Sequence, residues 1–126
     1  MALTLVCTSA LLVVALPASA QHTATTVNVI AGKPSEFGFK LSTKTFKHGI
    51  VTFKVTNSGA IPHTFVVCSS SKGGSANSCT GKGTPQINSR QTVTLRITFK
   101  TAGTYEYLCS IAAHAAGGMK GDLKVT

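Results

Sequence analysis

Acidic residues are the scarcest class in this sequence: Glu36, Glu106 and Asp122 stand against twelve Lys and Arg, for a net charge of +9 at pH 7. A balance this basic raises the question of nucleic acid. The lysines are scattered, however (Lys33, Lys40, Lys44, Lys47, Lys54, Lys72, Lys82), with no interleaved patch of stacking aromatics. They read instead as a surface field that steers acidic partners and weakens with salt. Helical periodicity is absent after Ala20, which argues against a helical domain. Internal repeats and linkers are absent too, so 126 residues make one domain. The longest apolar run, Leu3 to Leu16, is too short to span a bilayer. Pro17 breaks it, and Ala18-Ser19-Ala20 is the small-residue pattern that a signal peptidase cuts after, although no Lys or Arg precedes the run. The chain therefore divides into a secretion signal over 1–20 and an exported domain over 21–126, periplasmic or extracellular.

What is present is period-two alternation. Thr25 to Ile30 reads as a first strand, and Phe37, Phe39 and Leu41 alternate with Gly38 and Lys40 in a second. Val51, Phe53 and Val55 alternate with Thr52, Lys54 and Thr56, after which Asn57-Ser58-Gly59-Ala60 turns the chain into a strand from His63 to Cys68. Val93, Leu95, Ile97 and Phe99 form another alternating set, and Thr104 to Cys109 places Tyr105, Tyr107 and Cys109 on one face. Leu123 and Val125 mark a short last strand. Seven to eight short strands with regular turns predict an all-β, two-sheet Greek-key β-sandwich.

The cysteines separate by context. Cys7 lies in the signal, while Cys68 and Cys79 bracket a polar, glycine-rich loop that a disulfide can staple in an oxidising compartment. Closing such a loop stabilises the fold by roughly 3 kcal/mol through the entropy of the unfolded chain. Cys109 is left over, at the head of a stretch that also carries His114 and Met119. His63 stands far upstream, directly after Pro62, which fixes the backbone there. Taken singly, His63 is more often a strand-end histidine, Cys109 a buried thiol and Met119 a core filler. Together, two imidazoles, a thiolate and a weak axial thioether are the donor set of a blue-copper electron-transfer site.

The sequence resembles the small cupredoxins of the plastocyanin and azurin type. The likeness rests on Pro62-His63 opening a hydrophobic strand, Gly103-Thr-Tyr-Glu-Tyr-Leu-Cys109, the spacing Cys109-x4-His114-x4-Met119, and Gly121-x-Leu123-x-Val125, and so covers the whole exported domain. It implies a cupredoxin-like sandwich holding one type 1 Cu ion, with His63, Cys109 and His114 as equatorial ligands and Met119 as the axial one. It also implies that His114 is the more exposed ligand and the exit for electrons. Ala112, Ala113, Ala115, Ala116 and Gly117, with Ala60, Ile61 and Pro62, then form an apolar rim. Redox partner proteins with acidic docking surfaces would meet a monomer at that rim, and the basic surface also suits peripheral contact with an anionic membrane. Two positions depart from the family pattern. Thr64 replaces the usual Asn after the first histidine, where its hydroxyl can still tie the ligand loops together, and Ala112-Ala113 occupies a loop that often carries proline.

Few histidines and methionines narrow the function. Copper oxidases and nitrite reductases feed a neighbouring copper through histidines flanking the type 1 cysteine. Here the flanking residues are Leu108 and Ser110, and four histidines in all are too few for a further centre. The reading is a one-electron carrier cycling Cu(II)/Cu(I), and not an enzyme. The competing reading, a copper-storage or delivery protein, lacks the methionine-rich stretch expected of it, since Met1 and Met119 are the only two.

Overall fold

The computed structural model describes residues 24–74 and 76–126; the signal segment 1–20 lies outside them. Among the described residues, nine strands form two sheets. In the first, β2 (Phe39–Leu41), β1 (Thr25–Ala31), β4 (Gly49–Asn57) and β7 (Thr92–Phe99) lie side by side in that order. In the second the order is β3 (Thr45–Phe46), β9 (Lys120–Val125), β8 (Gly103–Leu108), β5 (Val66–Cys68) and β6 (Gly81–Gly83). β1 runs parallel to β4, and β3 parallel to β9, while the other pairs are antiparallel. The chain changes sheet five times, between β2 and β3, β3 and β4, β4 and β5, β6 and β7, and β7 and β8. The sheets are thus joined as a sandwich by crossing connections, not by hairpins alone.

Alternation decides which side chains meet between the sheets. Val27 and Val29 of β1, Val51, Phe53 and Val55 of β4, and Ile97 and Phe99 of β7 are buried against Phe65, Val67, Tyr105, Tyr107, Leu123 and Val125. Aromatic rings fill the middle, with centroids 5.3 Å apart for Phe53 and Phe65, and 5.4 Å for Phe65 and Tyr107. Strand β8 departs from simple alternation, since Tyr105 through Cys109 are all buried. Its outer face is covered by the loop that the Cys68–Cys79 disulfide closes. Leu108 packs there against Cys68 and Ala115, with Cys79 beside them, and Glu106 Oε2 accepts a hydrogen bond from the Ala76 N–H.

Three local readings change. His63 lies before β5, joined to Ile87 by an isolated bridge, so the strand proper begins at Val66 and not at His63. Phe37 stands in the turn ahead of β2 and is 41% exposed. Strands β3 and β6 carry no alternation that a sequence could announce. β6 is Gly-Lys-Gly, and the missing side chain of Gly81 lets it pair with β5, since a Cβ there would collide with the Val67 carbonyl.

Candidate metal centre

The centre sits at one end of the sandwich, where the segments leading out of β4 and β8 converge. Asn57 ends β4 fully buried. Its amide donates to the carbonyls of Ile61 (2.8 Å) and Ile87 (2.9 Å), and its Oδ1 accepts from the Gly59 N–H (2.8 Å). One side chain thereby shapes the loop that delivers Pro62 and His63. The signal for it was a turn-forming Asn in Asn57-Ser-Gly, but burial gave it a second task.

From the other side, Cys109 leaves β8 and the chain closes a tight loop over 110–118. Its backbone supplies the closure: His114 N–H to Ile111 O (3.1 Å), Met119 N–H to His114 O (3.0 Å) and Cys109 N–H to Met119 O (3.0 Å). Ala113 takes a positive φ of 70°. Proline, locked near −65°, could not occupy that position, so an alanine there fits the turn this loop makes.

These segments bring three donors together. His63 Nδ1 lies 3.3 Å from His114 Nδ1, and Cys109 Sγ lies 3.4 Å from the same nitrogen. The three ligand atoms all fall within 4.8 Å of one another, an arrangement able to hold a metal ion. His63 and Cys109 are fully buried, and His114 is 8% exposed. The order of exposure follows the expectation, although both imidazoles are largely covered. Burial, then the neighbouring His63 ring, pushes the His114 imidazole below its ordinary range. A neutral imidazole suits metal binding, since a protonated ring has no lone pair to give. Met119 is fully buried and packs with Cys109 and Ala31, under Phe39 and Ile111.

Outside the donors, the Thr64 N–H points at Cys109 Sγ (3.4 Å) and the Thr64 hydroxyl lies 3.6 Å from it. The same hydroxyl oxygen accepts from the Ser110 N–H at 2.8 Å. Thr64 therefore joins the two ligand-bearing segments. Thr64→Val preserves the branched shape but removes that acceptor. The expected result is a loss of about 1 kcal/mol of stability, read from the denaturant midpoint of the metal-free protein.

Sequence reasoning missed Glu36, whose Oε1 lies 2.9 Å from His63 Nε2. It also misplaced two members of the rim. Ala115 is buried against Leu108 and Cys68, whereas Phe37 is exposed and packs on His114 with centroids 5.0 Å apart. The exposed apolar residues beside the donors are thus Phe37, Ala60, Ile61, Ala112, Ala113, Ala116 and Gly117, with Pro62 half-buried.

Solved structures of auracyanins and rusticyanin share this fold. Dithionite-reduced auracyanin from Roseiflexus castenholzii is 24% identical, with a TM-score of 0.62 over 82% of this chain and 98% of its own. Auracyanin A from Chloroflexus aurantiacus, described as a "blue" copper protein, is 24% identical with a TM-score of 0.63, over 82% and 100% of the two chains. Rusticyanin from Thiobacillus ferrooxidans is 25% identical with a TM-score of 0.58, over 80% and 76%. No curated protein sequence matches the chain. The family of copper-binding proteins named for plastocyanin and azurin does match, over residues 21–126. Since that span takes in both sheets and every donor of the buried His-Cys-His cluster, the chain belongs to the plastocyanin/azurin family of copper-binding proteins.

Proposed function

We propose that the protein is a one-electron carrier whose single type 1 copper cycles between Cu(II) and Cu(I) outside the cytoplasm. The observation that carries this reading is the burial of His63, Cys109 and His114 around one point, with Met119 packed beside the thiol. His63, Cys109 and His114 would hold the ion, and Met119 would add a weak thioether donor. When bound, copper supplies the one-electron couple. The chain's own contribution is to present the donors already converged, to exclude water from them, and to leave the His114 side nearest the surface.

Burial of all four donors leaves no evident place for a substrate, and Leu108 and Ser110 beside Cys109 offer no route to another metal. That supports a carrier over an enzyme. The Cys68–Cys79 disulfide supports an oxidising compartment and hence export, in keeping with a signal over residues 1–20. The apolar rim beside His114 is where a redox partner would dock, steered by its acidic surface toward the basic chain.

Copper addition and voltammetry test the reading. Cu(II) added to the metal-free protein should produce an intense thiolate-to-copper band in the visible. The protein should then cycle reversibly at an electrode without losing its metal. Release of copper at each reduction would identify a store instead, and absence of the band in folded protein would reject the copper carrier. Docking is tested separately by Ala113→Asp, because Asp tolerates the positive φ of this exposed position. The variant should keep its colour while electron exchange with an acidic partner slows several-fold, read by stopped flow; an unchanged or faster rate would move the docking surface elsewhere.

A further inference from the structure

Glu36 occupies the turn between β1 and β2, and its side chain is 35% exposed. Its carboxylate collects three donors from the segment that carries His63. Oε1 and Oε2 accept from the Ala60 N–H at 3.1 and 3.0 Å, and Oε1 also accepts from the Ile61 N–H at 3.2 Å. The third donor is His63 itself, through Nε2 at 2.9 Å. Gly59 lies buried alongside, and its missing side chain is what leaves room. A Cβ there would collide with Glu36 Oε1 and come within 3.0 Å of His63 Nε2.

We propose that Glu36 is a positioning residue for His63, selecting the tautomer that presents Nδ1 to copper and favouring Cu(II) over Cu(I). The inference rests on the copper reading above and assigns a residue that reading does not use. An ionised carboxylate accepts hydrogen bonds and donates none. A neutral His63 facing it must therefore carry its proton on Nε2, which leaves the Nδ1 lone pair free. That nitrogen is the one facing His114 Nδ1 and the Cys109 thiol side of the cluster. The backbone N–H groups of Ala60 and Ile61 fix the carboxylate, so the ring is held in both orientation and tautomer. A negative charge behind the ring also makes the ligating nitrogen a stronger electron-pair donor to a metal. It stabilises a dication more than a monocation, because the interaction scales with charge.

Glu36→Gln keeps the side chain's size and an oxygen that can accept from Nε2–H, and removes the charge. Its Cu(II) affinity should fall about tenfold, while its Cu(I) affinity changes by less than about twofold. The reduction potential should rise correspondingly, by about 59 mV for a tenfold change in a one-electron couple. Equal losses in both oxidation states, or none in either, overturn the proposal, since a merely structural residue would not discriminate between them. Gly59→Ala, which displaces the carboxylate from the other side, should raise the potential in the same direction; no rise overturns the proposal as well.

The metal-free wild-type protein supplies a test that needs neither copper nor a variant. Nitrogen-15 NMR of His63 at about pH 8, above the ordinary imidazole range, should show Nε2 protonated and Nδ1 bare. The opposite tautomer overturns the assignment whatever the metal does. If the wild-type protein fails to take up copper while His63 shows the expected tautomer, the copper reading falls and the Glu36–His63 arrangement stands.

Discussion

Cys109→Ser is expected to abolish the visible charge-transfer band of the copper-loaded protein completely. The band requires a thiolate bonded to Cu(II), and a serine hydroxyl neither ionises at neutral pH nor offers a sulfur orbital of comparable energy. The site makes no provision for a substitute. Cys109 is the only free cysteine among the described residues, and it is fully buried. The groups aimed at it, the Thr64 N–H at 3.4 Å and His114 Nδ1 at 3.4 Å, cannot replace a soft anionic donor. Serine is nearly isosteric, so circular dichroism should report an unchanged sandwich, and copper retention should fall when measured by metal analysis. Survival of the band in this variant would remove Cys109 from the centre and leave the copper reading without its main ligand.

Phe65→Ala should produce the largest loss of stability of any single truncation discussed, about 3–5 kcal/mol. Phe65 is fully buried and touches both sheets through its ring neighbours. Its centroid lies 5.3 Å from Phe39, 5.3 Å from Phe53 and 5.4 Å from Tyr107. Removing it opens a cavity between rings that backbone pairing holds in place, so the walls cannot collapse to fill it. Against a typical total of about 5–15 kcal/mol, such a loss brings a small domain close to unfolding. The urea midpoint of the metal-free protein measures it. Phe37→Ala is the control, since Phe37 is 41% exposed and should shift that midpoint by no more than about 0.5 kcal/mol. Equal effects at the two positions would contradict the core described above. The placement of Phe65 also links stability to the site, because Thr64 and His63 immediately precede it. A core that loosens here should broaden the geometry of the centre before the protein unfolds.

The sandwich and the convergence of His63, Cys109 and His114, with Met119 buried beside Cys109, were legible from residues alone, for a common physical reason. Alternation in Val51 to Val55 and Val93 to Phe99 is a period-two signal, and a strand half-buried in a sandwich can produce no other. The spacing from Cys109 to Met119 is similarly local: one short loop closes on itself through the Cys109 N–H to Met119 O bond, so sequence distance nearly equals spatial distance. Tertiary structure decided what depends on segments meeting from afar. Phe37 alternates with Phe39 yet lies outside the core, because the chain is still turning when it passes that residue, and the ring rests on His114 instead. Ala115 looked like rim and is buried, because the disulfide-closed loop and Leu108 cover it. Strand β6 forms because its glycines let it approach β5, not because of any pattern of its own. Glu36 had no motif at all. It is 27 residues from His63 in sequence and 2.9 Å from it in space, and only the fold brings the two together.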